Sequence, residues 1–247
     1  MSVSKDNTEL KDMLDIVKKE YDKPQSDEFY ERFIDKFEPN KKKKIFYRVI
    51  KRTLDIVFSF LAMVLLLPFF IAIAIAIRID SKGPVIFKQD RVGKGNEVFC
   101  FFKFRSMRSD APHDVATSLL DDSDEYLTKV GRFLRRTSLD ELPQLLNIFL
   151  GSMSFIGYRP LIVTEENCNE MRNKLGVFAL RPGISGYAQV NGRDDVYYKN
   201  KAIMDADYVK NASLWLDLRL FFRTIAVVFS KNGNADEKKG KEKDASI

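Results

Sequence analysis

The sequence predicts an α+β fold, in which a kinked re-entrant membrane helix carries a small, mostly helical cytosolic domain with a β-hairpin and interfacial amphipathic helices. Three observations predict it. Residues 56–77 are apolar and uncharged, residues 85–105 alternate as two strands around a glycine-containing turn, and apolar side chains recur at helical spacing before and after them. We divide the chain into an N-terminal helical extension (1–44), the membrane helix (45–80), the cytosolic domain (81–232) and a charged tail (233–247).

The apolar run from Ile56 to Ile77 contains 22 residues and no charge. As an α-helix it would extend for about 33 Å, enough for the roughly 30 Å hydrocarbon core of a bilayer. The alternative is a buried helix of a soluble protein, but such helices are rarely apolar on every face for this length. Pro68 lies near the middle, and lysines and arginines flank both ends. Because basic flanks favour the cytoplasmic side, we predict a helix that bends at Pro68 and returns to the same membrane face.

Composition limits the chemistry that the chain can perform. Its 247 residues carry a net charge of +6, with one histidine, His113, and two cysteines, Cys100 and Cys168. The cysteines lack metal-ligand spacing and indicate reduced thiols, and a single histidine argues against a histidine base or a His-rich metal site. The positive charge suits an anionic membrane face or a phosphorylated substrate. Nucleic acid would suit it too, but no stacking platform or helix-turn-helix pattern accompanies the arginines.

The N-terminal extension predicts two amphipathic helices. Their apolar faces contain Leu10, Met13, Leu14, Val17 and Tyr21 in the first helix, and Phe29, Phe33 and Phe37 in the second. Ser26 or Asp27 can cap the second helix. We expect the pair to pack either on the domain or on the membrane surface.

After the membrane helix, Val85 to Arg91 and Glu97 to Arg105 predict a β-hairpin around the segment 93–96. Strand alternation places Lys103 and Arg105 on one face of the second strand. Such a pair is either a solvated strand end or a grip for a phosphate.

A polar loop is predicted for residues 106–122. A short helix follows from Ser123, with Asp124 and Glu125 in its first turn, and leads to the arginine-rich segment 132–136.

The acidic pair Asp140 and Glu141 opens a helix whose apolar stripe begins at Leu142. Ser138 and Glu141 match a capping box, which by itself would explain both acids as a helix start. The alternative is chemical: carboxylates that follow arginines at a helix start lie where an anionic substrate is held, able to attack it or to bind Mg²⁺. Spacing alone leaves both interpretations open.

Residues 214–229 predict a C-terminal helix with Trp215 near its start and cations along one side. This pattern suits an interfacial helix in the headgroup layer, or a helix packed on the domain core. We expect the charged tail, 233–247, to be disordered.

Six segments in series resemble the bacterial sugar transferases, and more narrowly the monotopic polyprenyl-phosphate phosphoglycosyl transferases. They are Lys51-Arg52-x-x-Asp55, Gly83-Pro84-Val85-Ile86-Phe87-Lys88-Gln89-x-Arg91-Val92-Gly93, Lys103-Phe104-Arg105-Ser106-Met107, Ser138-Leu139-Asp140-Glu141-Leu142-Pro143-Gln144, Gly157-Tyr158-Arg159-Pro160 and Arg181-Pro182-Gly183-Ile184-Ser185-Gly186-Tyr187-Ala188-Gln189-Val190-Asn191-Gly192-Arg193. Each alone is weakly specific, but together they follow the order and spacing of the family from Lys44 to Ser230.

The resemblance implies an enzyme that transfers a sugar 1-phosphate from a UDP-sugar to a polyprenyl (undecaprenyl) phosphate through a covalent aspartyl-phosphosugar, releasing UMP. It implies Asp140 as the nucleophile, Glu141 as a Mg²⁺ ligand or proton carrier, and Mg²⁺ held by both. It places the catalytic domain on the cytoplasmic face of a bacterial cell membrane, at the first membrane step of a cell-surface polysaccharide (exopolysaccharide or capsule) or glycoconjugate pathway. A homo-oligomer and downstream glycosyltransferases stay open as partners.

Within the resemblance, further residues receive roles. We assign Lys103, Arg105, Arg135 and Arg159 to phosphate binding, and Gln189 and Arg193 in the glycine-rich segment 181–193 to the nucleotide sugar. Three positions depart from the family pattern: Leu67 stands where serine often precedes the kink proline Pro68, Tyr158 interrupts Gly-Pro-Arg-Pro, and Ser152 replaces an acid before Met-Ser. None of them touches the acidic pair.

Overall fold

The computed structural model describes residues 2–39, 45–112, 125–192 and 196–229. The helices in these ranges are α1 (Ser2–Lys19), α2 (Asp27–Lys36), α3 (Ile45–Asp80), α4 (Lys129–Arg136), α5 (Gln144–Leu150), α6 (Glu166–Lys174), α7 (Tyr187–Asn191), α8 (Tyr198–Asn211) and α9 (Leu214–Phe229). The strands are β1 (Ile86–Val92), β2 (Val98–Phe104), β3 (Ser154–Ile156) and β4 (Gly183–Ser185), paired as β1–β2 and β3–β4. Many helices with a few short strands agree with the predicted α+β class.

The long helix α3 contacts the domain through one narrow stripe. Four apolar side chains between Ala62 and Phe70 pack against a buried cluster supplied mainly by β2 and α5, and Ile77 is buried near the C-terminal end. Large apolar side chains on the other faces stay exposed, among them Leu65 at 74% and Phe69 at 62%. Among the helices of the described ranges, α3 alone has the length and apolar composition to cross a membrane.

Polar side chains attach both ends of α3 to the same domain. Arg52 donates hydrogen bonds of 2.6 and 2.8 Å to two carbonyl groups at the C-terminal end of α5, and Asp55 accepts 3.1 and 3.2 Å hydrogen bonds from β3. At the other end, Asp80 accepts a 2.9 Å hydrogen bond from a backbone N–H of α4. The helix continues through Pro68, and its return to the same membrane face stays a prediction.

The predicted hairpin is confirmed, and a second strand pair joins it. β1 and β2 pair antiparallel with Ile86 opposite Phe104. The hairpin turn includes Gly95 and Asn96, whose φ values of 73° and 63° lie in the left-handed region that glycine and asparagine adopt most readily. β3 and β4 pair in parallel, so the segment 181–193, expected as a glycine-rich loop, also contains a strand and the short helix α7.

The N-terminal extension packs on the domain, which decides between its two expected locations. Val17 and Phe33 belong to a buried core shared with α6 and α8. Asn200 of α8 donates to three backbone carbonyl groups between α1 and α2, and accepts a 2.9 Å hydrogen bond from the Tyr30 hydroxyl. Ser26 caps α2 as predicted, accepting a 3.2 Å hydrogen bond from a backbone N–H.

Helix α4 begins later than the sequence pattern suggested. It starts at Lys129, where the Thr128 hydroxyl caps it by accepting a 2.9 Å hydrogen bond from the N–H of Gly131. Glu125 lies in a turn before the helix, and residues 123–124 lie outside the described ranges. The prediction of an acidic first turn was wrong because the threonine, rather than the acids, supplies the cap.

Helix α9 has the features of both predicted locations. Leu220 is buried, and the carboxylate of Asp217 accepts hydrogen bonds from two tyrosine hydroxyl groups and from the ammonium group of Lys51, at 2.6 to 2.9 Å. On the other side, Trp215 is 67% exposed and Phe222 is 60% exposed. One face is therefore fixed to the domain, and the other is an apolar surface of the kind that interfacial helices present.

Candidate active site

The acidic pair lies in a 3-10 turn, Leu139–Glu141, that joins α4 to α5 beside β2. The leucines on either side of the pair pack into the apolar cluster that also holds the C-terminal half of α3. Asp140 is only 8% exposed. Ser138, immediately before the turn, has a φ of 56°, an uncommon and strained conformation for a serine. The chain therefore presents this pair from a fixed turn next to the candidate membrane helix.

The capping-box interpretation of this turn is wrong. The Ser138 side chain caps no N–H of the turn, and its own N–H donates to the carbonyl group of Arg135 at 3.1 Å. The Glu141 carboxylate accepts from Arg159 instead. Both halves of the box fail because a capping residue needs extended backbone geometry, which the left-handed Ser138 does not have.

The charge of Asp140 depends on the groups around it. Burial and, after it, the neighbouring Glu141 carboxylate raise the pKa of Asp140 to about 6, against the opposing effect of the cations of Lys103, Arg135 and Arg159. Those three cations are among the four that the sequence assigned to phosphate binding. The structure therefore brings the acidic pair and three predicted phosphate-binding residues together.

Lys103 lies in the middle of this group. Burial and then Arg135 lower the pKa of Lys103 to about 8; Arg91 and Arg159 also lower it, and Asp140 raises it. Its ammonium group lies 5.0 Å from the ring centroid of Phe87. Cations outnumber carboxylates in this group, and such an excess is suited to binding an anion with several charges, such as a diphosphate.

An ion pair connects the acidic pair to the segment 157–160. Nη2 of Arg159 donates to Oε1 of Glu141 at 2.8 Å, and both side chains are half-buried. The Arg159 guanidinium is thereby held beside Asp140. Arg135 is held by a 3.1 Å hydrogen bond from its Nε to the Ser106 hydroxyl.

Arg105 does not join this group. Its guanidinium donates to the carbonyl groups of Ser81 and Lys82 at 2.8 and 2.9 Å, and to the Ser81 hydroxyl at 2.8 Å. Alternation predicted Lys103 and Arg105 on one face of β2, but β2 ends at Phe104 and the Arg105 guanidinium binds the turn after α3. Arg105 therefore holds the turn that follows α3 in this structure, and its role in phosphate binding stays a prediction that these contacts do not support.

Gln189 lies in α7 and donates a 2.8 Å hydrogen bond to a carbonyl group of β4. The helix begins after Gly186, where a Cβ atom would lie 1.8 Å from the carbonyl oxygen of Gly157. Because of this close approach, α7 lies next to the segment that carries Arg159. Arg193 lies outside the described residues, and the nucleotide-sugar role of both residues stays a prediction.

Two residues inside the recognised motifs received no role from the sequence and lie near the site. Arg91 stacks on Phe101, with 4.2 Å between guanidinium and ring centroid, and donates a 2.7 Å hydrogen bond to the carbonyl group of Pro160. Gln144 is fully buried, and neither polar atom of its side chain has a hydrogen-bond partner among the described residues. Their position inside the motifs was the one sequence signal that could have indicated a role for Arg91 and Gln144. Motif spacing does not reveal which side chains point towards the interior.

Asp140 and Glu141 have the chemistry to hold a divalent cation. Mg²⁺ commonly binds one or two carboxylates and takes its other ligands from phosphates and water. Burial and then the negative charge of Glu141 raise the pKa of Asp140, and a bound cation would relieve the repulsion between the two carboxylates. Within the described residues, no third Asp, Glu, His or Cys joins them in a cluster.

Comparison with known proteins gives a consistent result. The family model described as bacterial sugar transferase matches residues 46–231. The chain is 37% identical over 195 residues to the undecaprenyl-phosphate glucose phosphotransferase of Komagataeibacter xylinus, covering 74% of this chain and 36% of the relative. It is 38% identical over 187 residues to the UDP-glucose:undecaprenyl-phosphate glucose-1-phosphate transferase of Escherichia coli, covering 72% and 40%.

A third relative carries a different sugar in its name. The UDP-N-acetylgalactosamine-undecaprenyl-phosphate N-acetylgalactosaminephosphotransferase of Aeromonas hydrophila is 40% identical over 194 residues, covering 76% of this chain and 45% of the relative. The chain thus spans less than half the length of these three curated relatives.

Proposed function

This chain belongs to the bacterial sugar transferase family, and we propose that it transfers a sugar 1-phosphate from a UDP-sugar to a polyprenyl phosphate, giving polyprenyl-diphosphosugar and UMP. One observation carries the proposal: a buried aspartate stands beside Glu141, Lys103, Arg135 and Arg159 in a turn packed against an apolar helix. Such a site offers a nucleophile, a cluster of cations that can bind an anion, and proximity to a lipid. The names of the relatives support the two substrates.

In the first step, a carboxylate oxygen of Asp140 attacks the phosphorus that carries the sugar. An oxygen–phosphorus bond forms, the bond from that phosphorus to the bridging oxygen breaks, and UMP leaves with the electron pair. Lys103, Arg135 and Arg159 neutralise the phosphate charge, which otherwise repels the incoming carboxylate. The product is an acyl phosphate on Asp140 that carries the sugar.

In the second step, a phosphate oxygen of the polyprenyl phosphate attacks the same phosphorus. The Asp140 carboxylate is released, and a diphosphate bond joins sugar and lipid. Neither step breaks the bond between the sugar carbon and its oxygen, so we expect the anomeric configuration to be retained. Asp140 returns to its starting state, and the two substrates are the only reactants consumed.

We propose Mg²⁺ as the cofactor, held by Asp140 and Glu141. When bound, it would supply positive charge that polarises the phosphate undergoing transfer. The Glu141 carboxylate already accepts a hydrogen bond from Arg159 through Oε1, so the ion pair holds this proposed ligand in a fixed position. Glu141 is also placed to manage protons at the site.

We propose that α3 enters and leaves the membrane on the cytoplasmic face, with α9 in the interface. Support comes from the hydrogen bonds that attach Arg52 and Asp80, near opposite ends of α3, to one domain. A lipid phosphate at the headgroup level could then reach Asp140 without leaving the bilayer. In a bacterial cell membrane, this reaction would be the first membrane step in building a cell-surface polysaccharide or glycoconjugate, before downstream glycosyltransferases.

The topology can be measured with single cysteines at Lys43 and Lys82, in a chain that lacks Cys100 and Cys168. Both sites should resist a membrane-impermeant maleimide in intact cells and react once the membrane is opened, because both flanks are cytoplasmic. A chain that retains Cys100, which is exposed in the domain, provides the matched cytoplasmic control. Labelling of either flank from outside would establish a true span and exclude the re-entrant helix.

The pH dependence follows from Lys103. Because the pKa of Lys103 is lowered to about 8, its cation is lost as pH rises through that value, and phosphate binding weakens. We expect kcat/KM for the UDP-sugar to fall on the alkaline side with a midpoint near that pKa. Lys103→Arg, whose guanidinium does not titrate in this range, should remove the alkaline fall. If kcat/KM of Lys103→Arg still fell on the alkaline side, the fall would come from the titration of another group.

The function itself is tested with the full-length, detergent-solubilised chain, undecaprenyl phosphate and Mg²⁺. Each UDP-sugar of a panel is added and UMP release is followed, with Asp140→Asn as the matched inactive control. We expect one or a few UDP-sugars to give turnover that depends on the lipid. A folded chain without turnover on any UDP-sugar would instead favour a membrane-anchored scaffold, and salt-sensitive retention of RNA or DNA would favour a nucleic-acid binder.

A further inference from the structure

We infer that Arg172 and Asp205, which lie outside the six motif segments of the sequence, position Arg159 for its contact with Glu141. The inference rests on the proposed function, because it concerns the phosphate-binding role of Arg159. Nη1 of Arg172 donates a 3.0 Å hydrogen bond to the backbone carbonyl group of Arg159, and Nη2 donates to Oδ2 of Asp205 at 2.5 Å. Arg172 lies in α6 and Asp205 in α8, so the pair connects two helices of the domain to the active-site segment.

The hydrogen bond from Arg172 belongs to a row of contacts on four consecutive carbonyl groups, 158–161. The carbonyl groups of residues 158, 160 and 161 accept from the N–H of Gly183, from Nη1 of Arg91 and from the N–H of Val92, at 2.8, 2.7 and 2.9 Å. Arg172 fixes the remaining one, that of Arg159 itself. Since this backbone is held at every residue, the direction in which the Arg159 side chain leaves it is set by the domain.

Burial makes the pair unusual. Arg172 is 0% exposed and Asp205 is 1% exposed, and the Nε of Arg172 has no hydrogen-bond partner among the described residues. Buried ion pairs with such incomplete satisfaction add little stability compared with apolar residues of similar volume. Stability alone therefore does not explain why this pair is buried. The hydrogen bond from Arg172 to the Arg159 carbonyl group does explain it.

Tyr158, one of the departures from the family pattern, fits this arrangement. The Arg172 guanidinium lies 5.3 Å from the centroid of its fully buried ring, which also packs edge-on against Phe178. The ring gives the buried cation a π surface on the side where a proline would offer none. Tyr158 therefore helps to hold Arg172 in the orientation from which it reaches the next carbonyl group along the chain.

The test is a double-mutant cycle on the full-length chain. The variant Arg172→Met with Asp205→Leu removes both charges together, so that neither is left buried alone, and is made in the wild-type and Arg159→Ala backgrounds. We expect kcat/KM for UMP release to fall about tenfold or more when Arg159 is present, and less than about twofold when it is absent. A positioning role predicts this non-additivity, since the pair can act only through Arg159.

The matched control is the pair Lys18 and Asp207, an ion pair of 3.0 Å whose acid lies on the same helix, α8. Lys18→Met with Asp207→Leu should leave kcat/KM unchanged. Thermal unfolding is recorded for every variant. Should the double variant fail to fold, Arg172→Lys retains a partner for Asp205 but not the two-pronged donor, and it takes the place of the double variant in the same cycle.

The outcomes separate this inference from the proposed function. Equal losses of kcat/KM in both backgrounds would show a merely structural role, and no loss in either would show that the pair leaves Arg159 in place; each overturns the inference alone. A wild-type chain that releases no UMP from any UDP-sugar would overturn the proposed function first, and the inference with it.

Discussion

Asp140→Asn is expected to abolish transfer, lowering the rate of UMP release by about four orders of magnitude or more, because an amide cannot form the acyl phosphate. The fold should survive. Asparagine has nearly the same shape as aspartate, and Asp140 is 8% exposed in a turn held by apolar neighbours. The matched variant Glu141→Gln keeps an acceptor for Arg159 and leaves the nucleophile intact, so it should retain more activity than Asp140→Asn.

The same substitution should stabilise the metal-free chain. The pKa of Asp140 is raised from 3.8 to about 6, so the folded chain binds this proton more tightly than the unfolded chain does. Stability is therefore lost as pH rises from about 4 to about 6, and at pH 7 Asp140→Asn should recover on the order of 1 to 3 kcal/mol. Thermal unfolding with a chelator present, at pH 4 and pH 7, measures this: the two proteins should differ at pH 7 and converge at pH 4.

A covalent product provides the direct test of the nucleophile. The chain incubated with UDP-sugar and Mg²⁺, but without lipid, should gain the mass of a phosphosugar, and peptide mapping should place it on Asp140. Asp140→Asn should show no such gain. Full activity in Asp140→Asn would contradict the mechanism outright, while a modified peptide elsewhere would move the nucleophile to another residue.

Much of the fold follows from local patterns. The apolar run before Ile77 predicted α3, strand alternation predicted the hairpin, and Ser26 predicted the start of α2, because each depends on residues close in sequence. Regular period and turn chemistry determine such elements almost alone. The parallel pairing of β3 with β4 joins segments about thirty residues apart, and no local signal predicts it.

The site was predicted less evenly than the fold. Lys103, Arg135 and Arg159 do group with Asp140, but Arg105 does not, because its guanidinium binds the carbonyl groups of Ser81 and Lys82. The left-handed Ser138 also reverses the apparent capping box. The residues Ser138 and Glu141 match a capping box in sequence, but the folded turn holds Ser138 in a left-handed conformation that prevents the cap. Pattern reasoning is weakest where the backbone leaves regular geometry, which is also where functional residues are often held.

The buried pair Arg172 and Asp205 had no sequence signal at all. Both residues are charged, and charged residues at helical spacing are ordinarily read as a solvated face. Only the packing of α6 against α8 places them inside the domain, where they meet the carbonyl group of Arg159. The segment that binds Glu141 therefore depends on helices that carry none of the recognised motifs.

Arg159→Ala is expected to lower kcat/KM for the UDP-sugar by about 100-fold, the usual effect of removing one fixed donor that stabilises transition-state charge. The guanidinium contributes positive charge beside Asp140 and orients Glu141 through the 2.8 Å ion pair. Loss of the ion pair should cost on the order of 1 kcal/mol of stability, because both side chains are partly exposed, at 32% and 22%, and solvent screens them. The expected variant is therefore folded and slow, with thermal unfolding close to that of the wild type.

Arg159→Lys separates charge from geometry. Lysine keeps the positive charge but lacks the planar fork, so it cannot bind Glu141 and a phosphate oxygen in one fixed arrangement. We expect Arg159→Lys to recover part, but less than half, of the activity lost in Arg159→Ala, with UMP release measured for both at matched protein and lipid concentrations. Full recovery by lysine would show that charge alone suffices. Near-normal kcat/KM in Arg159→Ala would remove Arg159 from the phosphate site and leave Lys103 and Arg135 to neutralise the transferred phosphate.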